Sequence, residues 1–231
     1  MKHITNSFYN TFYQSEEFFI SVVNHPKKYL WLMETSVKLL VESRLPTKFG
    51  GFRILAFDSG REEMPHLALV SDGFKQNSLD PVSVRIHSEC MTGDVFRSSR
   101  CDCGDQLAFS MAMLQKSGGV LIYLRQEGRG IGLVEKLKAY ILQDNGLDTF
   151  QANLDLGHPE DGRTFDPAIE ILRHLKIYKI KLLTNNPEKV GAFDDLDDIN
   201  VVERVPLQVG FDPENKAYLE AKKVVKGHFF S

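Results

Sequence analysis

Two periodicities of hydrophobic residues follow each other along most of the chain. Short segments that alternate apolar and polar residues, or that are apolar throughout, are typical of half-buried and fully buried strands. Segments with apolar residues three and four positions apart are typical of amphipathic helices. Strands are predicted at residues 52–57, 66–70, 82–87, 119–124, 178–183 and 199–205, and helices at residues 106–115, 131–144, 167–175 and 213–226. This interleaving predicts an α/β (α+β) fold with a mixed β-sheet core flanked by helices.

The first 40 residues have a different character, because aromatic side chains are concentrated there. Phe8 and Phe12, like Tyr9 and Tyr13, lie four positions apart, which is the spacing of one helix face. We interpret residues 1–40 as a helical N-terminal extension docked on the main body or on a second subunit. The alternative is an appendage that binds another partner. Residues 41–231 form the main domain in either case.

The composition is that of a globular protein, with 42% hydrophobic and 26% charged residues in a chain of 231. A net charge of −3 argues against a nucleic-acid binder that relies on a basic surface. No segment approaches the roughly 20 apolar residues that cross a bilayer, and the N-terminus lacks the apolar run of a signal peptide. We therefore expect a cytoplasmic protein that binds neither nucleic acid nor membranes.

The three cysteines of the chain, Cys90, Cys101 and Cys103, fall in one short window. An odd number of clustered thiols argues against a disulfide framework and favours a metal site. Zn²⁺ prefers tetrahedral thiolate and imidazole ligands, and catalytic sites keep three protein ligands with the fourth position left to water. The alternative is a closed structural site in which His87, three residues before Cys90, supplies the fourth ligand.

A glycine-rich turn, RQEGRGIG at residues 125–132, joins a predicted buried strand to a predicted helix. Glycines let the backbone approach a ligand closely, and a helix N-terminus attracts anions. Arg125 and Arg129 add guanidinium groups that can bind phosphate oxygens in pairs. The turn therefore indicates a phosphate site. The alternative is a simple tight turn with solvated charges.

Polar residues also gather just before the first cysteine. A strand in this region places Arg85, His87 and Glu89 on one face. Three polar side chains would be costly to bury without partners, so a polar site is favoured over a plain edge strand.

Two later segments have the positions that α/β sheets use for ligands. Asp161 and Arg163 lie in a polar loop, and residues 184–189 follow a predicted strand at its carboxyl end. The alternatives are a surface turn with an ordinary ion pair, and a helix N-cap formed by Thr184 or Asn186.

Together these segments resemble GTP cyclohydrolase II. The resemblance rests on RIHSECMTGDVFRSSRCDCG (85–104), YLRQEGRGIGL (123–133), KAYILQDNGLDT (138–149) and LLTNNPEKV (182–190). It runs from about residue 41 to the C-terminus, so residues 41–231 are identified as a catalytic domain of this type. The resemblance implies a homodimeric hydrolase that opens the imidazole ring of GTP and releases formate and pyrophosphate, in the first step of riboflavin biosynthesis.

The resemblance also implies roles for individual residues. It places one Zn²⁺ per chain on the three cysteines. Mg²⁺ is expected with the triphosphate on chemical grounds, as in most reactions of polyphosphates. The resemblance makes Asp161 a proton acceptor and puts Arg163 at the α-phosphate, as a nucleophile or as a clamp. Tyr140 lies beside the guanine ring in this scheme, whereas by spacing alone it continues a core stripe with Leu133 and Leu137. Contacts to GTP are implied for Arg85, Ile86, His87, Ser88, Glu89, Gln106, Glu127, Gly128, Arg129, Thr149, Thr184 and Lys189.

Three places depart from the expected pattern. Gln151 and Thr164 stand where the family has acidic residues, and the loop at residues 157–160 is less typical of the family. A glutamine facing the base would accept only one of the hydrogen bonds of guanine, so weak discrimination against ITP is expected. Two alternative functions are a paralogue that keeps the formyl group or uses another purine nucleotide, and a catalytically silent nucleotide-binding module with structural zinc.

Overall fold

The computed structural model describes residues 37–58, 60, 64–76 and 78–229. The chain divides into two compact units, residues 1–36 and 37–231, and the described residues all belong to the second. The helical extension predicted over residues 1–40 therefore lies outside the described residues for most of its length. Its last residues, from Lys38 on, begin the first strand instead.

A seven-stranded mixed sheet forms the centre of the second unit, in the order β1-β2-β3-β5-β4-β6-β7. The strands β1, β2, β3 and β5 pair antiparallel, whereas β5, β4, β6 and β7 pair parallel. The predicted fold class is confirmed. The strands are β1 (Lys38–Thr47), β2 (Gly50–Asp58), β3 (His66–Ser71), β4 (Val82–Ser88), β5 (Val120–Leu124), β6 (Lys179–Leu183) and β7 (Asn200–Val205).

Helices cover the sheet, and the four predicted ones are all present with shifted ends. The predicted helix over 213–226 divides into a 3-10 turn, Pro213–Asn215, and a following α-helix. A second 3-10 turn covers Glu127–Gly130. The α-helices are α1 (Met91–Asp94), α2 (Cys103–Ser117), α3 (Leu133–Asp144), α4 (Thr149–Asp155), α5 (Asp166–His174), α6 (Pro187–Gly191) and α7 (Lys216–Lys226).

The periodicity missed the edge strand β1 and the short helices α1, α4 and α6. Most residues of β1 are exposed, so the strand lacks the alternation that a half-buried strand shows. Helix α4 has only seven residues and is started by a cap, in which Asp148 accepts the backbone N–H groups of Phe150 and Gln151. Capping of this kind is a local signal that hydrophobic spacing does not detect.

The central strand β5 explains how the core is built. Val120 and Ile122 point to one face and pack in a cluster with Ile171 of α5, whereas Leu121 points to the other face and packs in a cluster with Leu114 of α2. Both faces of the strand are buried, as its continuous apolar run predicts. The carboxyl ends of the parallel strands β4, β5 and β6 meet at one edge, where open α/β sheets bind ligands. No helix in the described part of the chain is long and apolar enough to cross a membrane.

Candidate active site

The three cysteines come together just beyond the carboxyl end of β4. Cys90 follows the strand, Cys101 precedes α2, and Cys103 is the first residue of that helix. The three Sγ atoms lie within 4.8 Å of one another, and those of Cys90 and Cys101 are 3.6 Å apart. Tetrahedral zinc with Zn–S bonds of about 2.3 Å requires S–S distances of roughly 3.8 Å, so the thiols fit this metal.

Gly93 leaves the space that the sulfur cluster needs. A methyl group at this position would lie 2.8 Å from Cys101 Sγ and 3.2 Å from Cys90 Sγ. Any side chain would therefore press on two of the predicted ligands. The glycine is required by close approach and not by backbone conformation.

His87 does not join the cluster. Its Nε2 atom lies 3.0 Å from Asp94 Oδ1, and both side chains are almost fully buried. The imidazole also stacks on Tyr123, whose hydroxyl donates to Asp94 Oδ2. Among the described residues the cysteines alone form the cluster, so the closed site with His87 as fourth ligand is not supported.

Lys136 and Glu127 surround the first cysteine. Lys136 Nζ donates to Cys90 Sγ at 3.1 Å and to Glu127 Oε1 at 2.7 Å, while the backbone N–H of Met91 donates to Glu127 Oε2 at 2.6 Å. Hydrogen bonds from Cys101 and Cys103, together with the lysine charge, hold the pKa of the Cys90 thiol far below its ordinary value. Burial opposes the charged form of Lys136, but the Cys90 and Glu127 charges outweigh it and raise its pKa.

The glycine-rich turn packs against the loop that carries Asp161 and Arg163. Gly128 and Arg129 have φ values of 61° and 62°, so the turn uses left-handed backbone. The Arg129 carbonyl accepts the N–H of Gly162 at 3.0 Å, and a methyl group at Gly130 would lie 3.3 Å from Gly162. This close contact brings the predicted Asp161 and Arg163 into the pocket.

Two buried cations, Arg85 and Lys189, line the pocket. The guanidinium of Arg85 donates to the Leu183 carbonyl at 3.0 Å and to Gln106 Oε1 at 2.7 Å. Lys189 Nζ donates to the Ile86 carbonyl at 2.9 Å. Burial lowers the pKa of Arg85 to about 10, and burial with the neighbouring arginines also lowers the pKa of Lys189. Unneutralised cations at such depth favour an anionic ligand.

Asp161 and Arg163 form an ion pair inside the pocket, not a surface turn. Arg163 Nε lies 2.9 Å from Asp161 Oδ1, and Arg163 Nη1 reaches Ser88 Oγ at 3.5 Å. Burial alone would raise the pKa of Asp161, but the guanidinium outweighs it and the pKa falls. Burial likewise opposes the charge of Arg163, and Asp161 reverses that effect and raises its pKa.

Tyr140 faces the pocket and does not continue a core stripe. Its hydroxyl lies 3.1 Å from Thr92 Oγ1, and the Arg100 guanidinium lies 4.9 Å from the centre of its ring. Leu137, on the same helix, is 45% exposed. Burial raises the pKa of the Tyr140 hydroxyl.

One pocket collects the side chains that sequence reasoning selected for the site, except those of Ile86, Arg125 and Gln151. The side chain of Ile86 is fully buried in the hydrophobic core, because residues alternate between the two faces of β4. The selected residues that line the pocket are Arg85, His87, Ser88, Glu89, Cys90, Cys101, Cys103, Gln106, Glu127, Gly128, Arg129, Tyr140, Thr149, Asp161, Arg163, Thr184 and Lys189.

The expectation that Gln151 faces the base is not supported. Gln151 is exposed on α4, and its amide donates to Asp155 Oδ1 at 2.7 Å, one helical turn further on. Thr164 contributes its carbonyl, which accepts the amide of Gln126.

Sequence reasoning missed Lys136, Tyr218, Lys222 and His228, which also line the pocket. The i, i+4 spacing of Lys136 with Tyr140, and of Tyr218 with Lys222, is a signal that could have found three of them.

The fold and the pocket define an α/β protein with a cluster of three thiols that could hold a metal, beside a cationic cleft. A family model described as GTP cyclohydrolase II matches residues 38–206. A GTP cyclohydrolase-2 from Acinetobacter baumannii is 48% identical over 195 residues, which cover 84% of this chain and 96% of that protein. The GTP cyclohydrolase-2 of Acinetobacter baylyi is 48% identical over 196 residues, with 84% and 97% covered. The chain therefore belongs to the GTP cyclohydrolase II family of hydrolases, whose named relatives include riboflavin biosynthesis proteins.

One of these relatives is longer. The riboflavin biosynthesis protein RibBA of Chlorobium phaeovibrioides is 47% identical over 196 residues, and the match covers 84% of this chain. The chain spans about half of that relative, since the match covers 47% of its length. A two-domain 3,4-dihydroxy-2-butanone 4-phosphate synthase from A. baumannii has a TM-score of 0.44 and 19% identity, with 81% of this chain and 48% of that chain covered.

Proposed function

We propose that this protein uses zinc to hydrolyse GTP, opening the imidazole ring and releasing formate and pyrophosphate. The remaining product is a diaminopyrimidinone ribosyl phosphate. One observation carries the proposal: a single pocket holds three thiols at metal-binding distances together with the buried cations Arg85 and Lys189 and the partly buried Arg163. Ring hydrolysis needs an activated water, and a triphosphate needs several cations to hold it.

The predicted metal ligands are Cys90, Cys101 and Cys103. When bound, zinc supplies a Lewis acid that makes water reactive near neutral pH. Lys136 balances part of the thiolate charge through its contact with Cys90. Asp94 accepts the backbone N–H of Cys90 at 3.0 Å and thereby holds this ligand in place.

The triphosphate lies, in this proposal, along the cations on the opposite side of the pocket. Burial lowers the pKa values of Arg85 and Lys189, and a phosphate oxygen near them stabilises their charged forms. Arg129 extends the cationic surface from the left-handed turn, with its guanidinium 4.3 Å from the centre of the Phe150 ring. Mg²⁺ accompanies the phosphates, whose oxygens are the ligands that it prefers.

Arg163 binds the α-phosphate as a clamp. Its guanidinium is nearly buried and paired with Asp161, and its pKa is raised, so the protonated form that binds phosphate is stabilised. A neutral guanidine able to attack phosphorus is disfavoured by the same pairing. Asp161 therefore orients the clamp, and its carboxylate, which the guanidinium holds ionised, is the group that we propose as proton acceptor for the reacting water.

The purine lies at the end of the pocket next to the thiols. Tyr140 borders this end, and its hydroxyl is fixed by Thr92. Glu89 pairs with Arg125 at 3.0 Å, and burial raises the pKa of its carboxyl group. A carboxyl group of raised pKa is suited to exchanging protons with water during the two hydrolyses at C8.

The deciding experiment is incubation of the pure protein with GTP and Mg²⁺, with the products identified by mass and formate measured enzymatically. We expect formate and pyrophosphate in equal amounts. A product that still carries the formyl group would identify the paralogue instead. Nucleotide binding with no product would identify the silent module. Removal of zinc with a chelator and its return should abolish and restore formate release.

We also propose that the protein is a homodimer. Helix α3 exposes Val134, Leu137 and Ile141 to solvent, at 66%, 45% and 62%. Exposed apolar side chains in a row on one helix favour a protein interface. Light scattering after size exclusion should give twice the chain mass, and Ile141→Lys should lower it to the monomer.

A further inference from the structure

The segment 207–229 lies beyond the residues that the family model matches, and it is tied at both ends to Asn185. Asn185 Oδ1 accepts the N–H of Leu207 at 2.9 Å, and the Asn185 amide donates to the Leu207 carbonyl. At the other end, the Asn185 carbonyl accepts the N–H of Phe229 at 2.9 Å. One buried asparagine at the carboxyl end of β6 therefore closes the segment into a loop that contains α7.

This segment packs closely on the cysteine region. Gly210 has a φ of 76°, and a methyl group there would lie 3.2 Å from the Cα of Asp102. Leu219 of α7 is 8% exposed. The segment is thus packed against the domain, and it presents Tyr218, Lys222 and His228 to the pocket.

Lys222 begins a series of side-chain contacts that ends at Arg85, a cation that faces the phosphates in the proposed function. Lys222 Nζ donates to Asp102 Oδ1 at 2.8 Å, and Gln106 Nε2 donates to Asp102 Oδ2. Gln106 Oε1 in turn accepts from Arg85 at 2.7 Å. Asp102 is 1% exposed and lies between two of the cysteines in sequence.

At the far end of this series of contacts, few other groups hold Arg85 in place. Arg85 Nε is buried and has no hydrogen-bond partner within the described residues. The Leu183 carbonyl and Gln106 are the two acceptors that orient the guanidinium. Without Lys222, one oxygen of the buried Asp102 would lose its cation, and the carboxylate would be free to turn away from Gln106.

We propose that the segment 207–229 is a fixed wall of the active site, and that Lys222 is a positioning residue for polyphosphate binding. It acts through Asp102 and Gln106 on Arg85. The identity of the ligand rests on the proposed function. The coupling between Lys222 and Arg85 rests on the side-chain contacts alone. Burial and the charges of Lys222, Lys189 and Arg163 lower the pKa of His228 to about 3, which agrees with a common cationic region.

Binding of inorganic triphosphate, measured by calorimetry on the full zinc-loaded chain, tests the coupling. Lys222→Met should weaken binding about tenfold, since a small misplacement of a binding group costs this much or more. Lys222→Arg should recover most of the affinity. Lys223→Met is the matched control, because Lys223 is the next residue of α7 and is exposed, and it should bind as the wild type does.

A double-mutant cycle identifies the route of the effect. If Lys222 acts through Asp102, then Asp102→Asn, Lys222→Met and the double variant should all weaken binding to the same extent. If Lys222→Met is the one variant that loses its zinc, triphosphate affinity is compared between the wild type, Asp102→Asn and the double variant. Neither of these two variants has a buried carboxylate without a partner. Wild-type affinity in any of these, or a further loss in the double variant, would overturn the proposal. Failure of the wild type to release formate from GTP would contradict the proposed function and leave this binding result intact.

Discussion

Lys136 donates a hydrogen bond of 3.1 Å to the sulfur of Cys90. The same ammonium group is paired with Glu127, which in turn accepts the N–H of Met91, the residue after the cysteine. A positive charge is thus held against one predicted metal ligand by two separate contacts. Groups that touch a metal ligand orient it and tune its affinity for the metal.

We expect Lys136→Met to lower zinc affinity by about 10- to 100-fold, the usual effect of removing a partner of a metal ligand. Competition with a chromogenic chelator measures the affinity, and the sulfur-to-metal charge-transfer band of the cobalt-substituted protein should shift. The matched control is Lys138→Met, because Lys138 pairs with Glu135 on the exposed side of the same helix. Equal zinc affinity in the two variants would show that the Lys136 contact has no role at the metal.

Cys101→Ser should remove most of the bound zinc and abolish formate release. A serine hydroxyl is a poor replacement for a thiolate in a site with three protein ligands. Elemental analysis should give one equivalent of zinc in the wild type and a small fraction of that in the variant. Ser99→Ala, an exposed position of the same loop, is the control. Full formate release by zinc-free Cys101→Ser would mean that the cluster is not catalytic.

Arg163→Ala should reduce pyrophosphate release by about 100-fold or more, because it removes a charge aimed at the reacting phosphate. Arg163→Lys should recover part of the rate, since it keeps the charge but loses the paired donors. Arg173→Ala is the control, because Arg173 pairs with Glu170 and Asp198 at the surface. Pyrophosphate release at the wild-type rate in Arg163→Ala would contradict both roles considered for Arg163, the phosphate clamp and the nucleophile.

Gln151→Glu should leave the ratio of kcat/KM for GTP and ITP unchanged. The side chain is exposed and bonded to Asp155, so it does not reach the base. The change should instead cost about 0.2–0.5 kcal/mol of unfolding free energy, because it places like charges one helical turn apart. Denaturant unfolding and steady-state kinetics measure the two effects. A tenfold gain in preference for GTP would show that Gln151 turns towards the base when substrate binds.

Much of the site could be predicted because its residues are local in sequence. The cysteines lie within residues 90–103, and Arg85, His87 and Glu89 alternate along β4 and just beyond its end, so spacing alone indicated a metal and a polar face. Two hypotheses found no support, for a related reason. His87 was the alternative fourth metal ligand and Gln151 the expected base contact, but each has a protein partner, Asp94 and Asp155. Spacing shows which residues are near one another and does not show which way a side chain turns.

The sequence by itself determined the mixed sheet, the cysteine cluster and most of the residues that line the pocket, because strand and helix periodicity and short motifs depend on neighbours within a few positions. Tertiary structure decided the partners of the buried charges. Lys222 reaches Asp102 across 120 positions, and Lys136 reaches Cys90 across 46. A buried charge takes whichever counter-charge close packing brings to it, and that choice is made only when the distant segments fold together.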